Sequence, residues 1–371
     1  MPFLVLAPEY CRARQERLLR QMQIRRLDLV VVTNPMHVQW LTGYRCAPTL
    51  CVAAALRADG SCVLVHPETC PPEGFDGTAV AYPAQHLFTL RNDQLQACAT
   101  ALRERLITSA GMAKRVGIEG TTAGPILLTA LGDPVATCLE SELWQMRRSK
   151  LPDELELMKR ATDATTAMYD AAKEVIQPGA DELTVFNRLQ AAAVKELGEM
   201  LTGTGNDYQC NSGGGPPRNR PAQAGELYIL DLGPAYRGYF ADNSRTFAVD
   251  GKPTDAQLAA WEKVVSVFDI VERNVKPGTR CRELFAEVSQ MLNTFLPDGF
   301  PHHLGHGLGL FPHEPPYLNS HWDDVFLEGD VFTVEPGLYG PELKAGMRIE
   351  NNYRVTATGV ELLTPYPLEL T

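Results

Sequence analysis

The sequence has no CxxC pair, no block of basic residues and no long apolar run. Each absence closes a class of function. The nine cysteines are odd in number and scattered, so they make neither a thiolate zinc site nor a disulfide framework. They read as reduced, packed thiols, and this predicts a cytoplasmic protein. A formal net charge of -11 offers no basic surface for phosphates, which excludes general nucleic-acid binding. A spanning helix needs about 18 or more consecutive apolar residues, and none occur, so no membrane association is expected. The opening MPFLVLAPEY has no basic leader and too short an apolar core for a signal peptide. Histidine is also scarce: there are eight, and none falls between positions 195 and 230.

What is present is ordinary globular material, 44% hydrophobic and 21% charged, and 371 residues make two domains the first expectation. Residues 1–148 read as an α/β domain. A helix is predicted over 12–27, strands over 28–33, 50–57, 61–65 and 78–82, and a helix over 91–108. A strand lies in KRVGIEG, and a short helix covers 122–131. Ala58-Asp59-Gly60 marks a hairpin turn. Nothing in this half looks catalytic.

Residues 149–371 read differently. Pro152 opens a helix that Gln177-Pro178-Gly179 stops, and a second helix spans 182–197. The plan then repeats. Thr254 and Gln257 form a capping-box pattern, Lys276-Pro277-Gly278 stops that helix, and another covers 282–295. Each helix pair is followed by a hairpin, which suggests a duplicated helix–helix–hairpin unit around a curved, mostly antiparallel sheet.

The hairpins carry the chemistry. In GELYILDLGPAYRGYFADNSR, a turn centred between Tyr236 and Arg237 places Asp231 opposite Asp242, with the two residues roughly 4.5–5.5 Å apart. In the second hairpin, a turn near 342–343 places Glu335 opposite Glu350. Like charges so placed repel unless a cation lies between them. The intervening PHHLGHGLGLFPHEPP holds His302, His303, His306 and His313. Four carboxylates with an imidazole suit a pair of hard or borderline divalent ions better than a closed thiolate site. Two such ions activate water and polarise a carbonyl.

These residues resemble the pita-bread metallopeptidases of the prolidase and aminopeptidase P branch. The resemblance rests on LDLG, ADNSRTF, HLGHGLGL, HEPP, TVEPGLY and GMRIEN, and on the order Asp, Asp, His, Glu, Glu. It covers nearly the whole chain. It implies an α+β architecture, with an α/β creatinase-like domain at 1–148 followed by a pita-bread catalytic domain at 149–371. It implies that Asp231, Asp242, His306, Glu335 and Glu350 hold two divalent metal ions per chain, manganese first, with cobalt, zinc or iron as alternatives. Glu335, His302 and His313 would be catalytic, and His302, His313 and Arg348 would contact substrate. The implied reaction is hydrolysis of X-Pro bonds in dipeptides or short peptides by a metal-bridging hydroxide, in a homodimer.

Two departures stand against that pattern. The family's peptidases carry a histidine about 17 residues before the first aspartate, where this chain has Gly214 in NDYQCNSGGGPPRNRP. RIENN also replaces the commoner RIEDD or RIEDT. Arg218 and Arg220 in that loop are candidate contacts for an anionic substrate group. The departures keep two other readings open: the same metal site redirected to a non-peptide amide or amidine hydrolase or a lyase, and a non-catalytic binding relative.

Overall fold

The computed structural model describes residues 5–107 and 112–370. The chain forms two compact units, Met1–Arg147 and Arg148–Thr371. The first unit is built on a six-stranded sheet in the order Thr78–Tyr82, Cys62–Pro67, Ala53–Arg57, Leu29–Val32, Arg115–Ile118, Val135–Cys138. Leu29–Val32 pairs antiparallel with Ala53–Arg57 and parallel with Arg115–Ile118. Its Val30, Val31 and Val32 are buried, as a central strand of a covered sheet requires. The turn at Asp59-Gly60 forms, with Gly60 at φ +87° and Asp59 Oδ1 accepting from Ser61 N at 2.9 Å.

The first helix starts four residues earlier than expected and stops two sooner, at Pro8–Arg25, and the 91–108 helix is shorter at both ends, at Gln94–Leu106. Elements not anticipated in this part of the chain are the helix Pro35–Thr42, the paired short strands Gln85–His86 and Thr89–Leu90, the strand Val135–Cys138 and the helix Glu140–Arg148. The first had a legible start and stop. Asn34 caps it by accepting from Met36 N at 3.0 Å, Pro35 fills the first turn, and Gly43 ends it in the left-handed conformation.

The second unit contains four long helices, Pro152–Val175, Glu182–Leu197, Asp255–Asn274 and Cys281–Phe295. Thr254 and Gln257 make the reciprocal capping box, at 3.2 and 2.9 Å. Two antiparallel sheets carry the site. One runs Asn243–Ala248, Leu227–Leu232, Asp207–Cys210, and the other runs Glu314–Leu318, Gly305–Gly307, Val331–Val334, Asn351–Val355, Val360–Leu362. They join where Glu350 N donates to Ser244 O at 2.9 Å and Arg348 N donates to Thr246 Oγ1 at 3.1 Å. The buried Arg245 staples the junction, donating from Nη1 to the Ser244 and Glu350 carbonyls and from Nη2 to Asn351 Oδ1. An apolar core that includes Val264, Val271, Leu284, Val288, Phe332 and Tyr353 packs the second pair of helices against its sheet.

Candidate metal centre

The first hairpin does not have the expected register. Asp231 faces Ser244, and Leu232 faces Asn243. The turn is centred at Arg237-Gly238, where both residues have positive φ, +49° and +91°. Positive φ at both central residues is the signature of the hairpin turn whose twist matches the flanking strands. The slip preserves the face. Asp242 lies two positions from Ser244, so it reaches Asp231 diagonally instead of directly. The second hairpin has the expected register: Val334 pairs with Asn351 and Gly337 with Arg348, which brackets Glu335 and Glu350.

Carboxylate oxygens of Asp231, Asp242 and Glu350 all lie within 4.8 Å of one another. Both Glu350 oxygens are buried without a hydrogen-bond partner. His306 sits on the strand Gly305–Gly307, where a Cβ at either glycine would strike the neighbouring strand's backbone, 2.0 Å from Thr333 O or 2.2 Å from Pro315 O. Its Nδ1 faces Gly307 O at 3.0 Å, which directs Nε2 inward. That Nε2 lies 3.3 Å from Glu335 Oε1 and 3.7 Å from Asp242 Oδ2. Thr333 Oγ1 accepts from His306 N at 3.1 Å and donates to Glu335 Oε1 at 3.2 Å, fixing both.

Burial and mutual repulsion push Asp242 and Glu350 well above the usual carboxylate range. Burial also raises Asp231, against the pull of Arg348. Burial would lower His306, but Glu335 and Asp242 outweigh it and bring it to about 9. This donor set fits divalent cations: crowded anionic oxygens, two of them unpaired, beside one oriented imidazole.

His302 and His313 do not touch these carboxylates through any hydrogen bond. The His313 ring stacks on His306 at 3.8 Å between centroids, and burial and that neighbour lower it to about 4. His302 Nε2 lies 3.0 Å from Tyr339 Oη. Arg348 is a hub rather than a free substrate contact: Nη2 donates to Asp231 Oδ2 at 2.7 Å and pairs with Asp207, and Nη1 donates to Tyr339 Oη at 3.0 Å. Tyr339, Asp207 and His303 were given no role by the sequence. His303 and His302 each have a nitrogen within 4.8 Å of a Glu335 oxygen. Tyr339 was visible inside TVEPGLY, whereas Asp207 had no motif and is found only because its strand places it opposite Asp231.

The loop that lacks the family's histidine lies on this hub. Gly215 N donates to Asp207 Oδ1 at 2.6 Å, and a Cβ at Gly214 would fall 2.4 Å from Asp207 Oδ2. Arg218 and Arg220 are not available to substrate. Arg218 is bidentate to Glu182, at 2.6 and 3.0 Å, and Arg220 to Glu226, at 2.5 and 3.0 Å. The second departure also has a use. Asn352 clamps the Asp242 backbone, donating to its carbonyl and accepting from its N–H at 3.4 Å. Beside the centre, a cavity of about 410 Å³ is lined by His302, His303, His306, His313, Tyr317 and Trp322, among others.

Residues 156–357 match the sequence pattern of Metallopeptidase family M24. The chain belongs to that family. Residues 14–131 of this metallopeptidase match the Creatinase/Prolidase N-terminal domain. It is 30% identical to the putative dipeptidase YkvY of Bacillus subtilis (strain 168), over 73% of this chain and 75% of that protein. Its fold is that of the prolidase from Pyrococcus furiosus, with a TM-score of 0.78 at 24% identity over 94% of this chain and 99% of that one. The X-Pro aminopeptidase from Thermotoga maritima MSB8 is similar too, with a TM-score of 0.79 at 21% identity over 96% and 98%. Among the described residues, no helix is long and apolar enough to cross a membrane.

Proposed function

We propose that this metallopeptidase is a dinuclear X-Pro dipeptidase. The observation that carries the reading is the trio Asp231, Asp242 and Glu350, crowded within 4.8 Å with both Glu350 oxygens unpaired. Asp231, Asp242 and Glu350 would hold one ion, and His306 and Glu335, with Asp242 and Glu350 shared, would complete a second site. Two divalent ions, manganese first, supply a Lewis acid there and lower the pKa of water. Further support comes from the family match and from relatives named as dipeptidases and prolidases.

The chain's own residues do the rest. Glu335, fixed by Thr333, holds and passes a proton beside the reacting carbonyl. His313, kept neutral by its surroundings, donates a hydrogen bond to charge developing on the carbonyl oxygen. Arg348 and Tyr339 orient Asp231 and His302, and the imidazole-lined cavity beside them gives room for substrate. The working protein is read as a cytoplasmic homodimer. The test is proline release from Ala-Pro, Gly-Pro, Met-Pro and longer X-Pro-Y peptides, with manganese and again after chelation. Chelator-sensitive cleavage of dipeptides supports the reading.

One observation favours a second reading. The histidine position of the loop is occupied by glycine backbone lying on Asp207. An intact centre acting on a different small amide would show itself as failure on every X-Pro peptide with metal still bound.

A further inference from the structure

The unit Arg148–Thr371 holds a second cavity, of about 560 Å³, lined by none of the five candidate metal ligands. The helix Pro152–Val175 presents Leu155, Glu156 and Met158 to it, and the strand ends present Arg354, Leu362 and Leu363. Two polar groups there are underused. Arg354 Nε is buried without a hydrogen bond, and its cross-strand neighbour Glu361 comes no closer than 3.9 Å. Glu156 makes no hydrogen bond or ion pair among the described residues. Lys159 is spent, since it pairs with Asp163 at 2.8 Å.

A guanidinium held by a single long ion pair, as Arg354 is by Glu361, still has N–H groups to recognise a carboxylate through two parallel bonds. An unpaired glutamate recognises an ammonium. The same cavity is lined by Leu155, Met158, Leu362 and Leu363, which suit an apolar side chain, and the volume is within the range of small-molecule sites. We propose that this cavity binds a free α-amino acid with an apolar side chain, as the zwitterion, with its carboxylate on Arg354 and its ammonium on Glu156. Such a molecule belongs to the class that a dipeptidase releases, and only this clause rests on the proposed function. The occupant lies against Asn352, the residue that clamps the Asp242 backbone.

The test is calorimetric titration of the full-length protein with L-leucine, 4-methylpentanoate and isopentylamine. The same titrations are run on Glu156→Gln, Arg354→Gln and His306→Ala. Leucine is expected to bind at least about tenfold more tightly than either singly charged analogue. Glu156→Gln and Arg354→Gln should each weaken it about tenfold or more, the scale of one charge-assisted hydrogen bond. Binding to His306→Ala should equal wild type, which separates this cavity from the metal centre whether or not the protein proves to be a peptidase. No binding by the wild type, equal binding by both glutamine variants, or loss of binding in His306→Ala would each overturn the proposal.

Discussion

Glu350 is the residue that tests the proposed centre most sharply. Its two oxygens are buried and unpaired, so by itself it costs the fold free energy, and a cation removes that cost. Substitution should therefore have opposite effects in two conditions. In chelator, Glu350→Gln or Asp242→Asn is expected to raise thermal stability, by about 1–2 kcal/mol, by relieving repulsion. With manganese, the same variants should fall below wild type and lose at least about 10³-fold in peptide hydrolysis. Paired thermal melts with and without chelator check the reversal. Tyr339 tests the hub. Tyr339→Phe removes the hydroxyl shared by His302 and Arg348, and should lower kcat about tenfold while metal content stays at the wild-type level.

At the scale of elements, the loop from Asn211 to Arg220 is held from below. Glu182 is buried at the start of its helix and accepts from Arg218 and from Cys210 N at 3.1 Å. Burial raises its pKa, but these bonds more than offset that and leave it below the usual range. A carboxylate lowered in the folded state adds stability that is full above its unfolded pKa, about 4.3, and is lost as pH falls through the folded value. Glu182→Gln should thus cost about 2–3 kcal/mol at pH 7, and the difference from wild type should shrink to near zero below the carboxylate range. Urea unfolding across pH 3–7 measures it.

Legibility at this scale followed local chemistry. Helix ends marked by Pro152, Thr254 with Gln257, Pro178-Gly179 and Pro277-Gly278 were readable because capping and turn residues act within a few positions. The second hairpin's register was readable from its length. The first slipped because Arg237, a residue that does not advertise positive φ, shares the turn with Gly238. The strand Asp207–Cys210 and Asp207 itself were invisible, since only pairing with Leu227–Leu232 gives them a place. Arg218 and Arg220 looked free because their partners, Glu182 and Glu226, are fixed by tertiary structure.

For the whole molecule, the two units carry separate cores. All five candidate ligands lie in Arg148–Thr371, so metal should stabilise that unit alone. Calorimetric scans are expected to show manganese raising one transition and leaving the other in place. The proposed centre holds two ions on five residues. The most direct measurement is the number of ions bound per chain, read by elemental analysis after dialysis of chelated protein against manganese. Wild type should hold two ions, Glu350→Gln none tightly, and Tyr339→Phe two. One ion or none in the wild type, or two in Glu350→Gln, would rule out a dinuclear centre on these five residues.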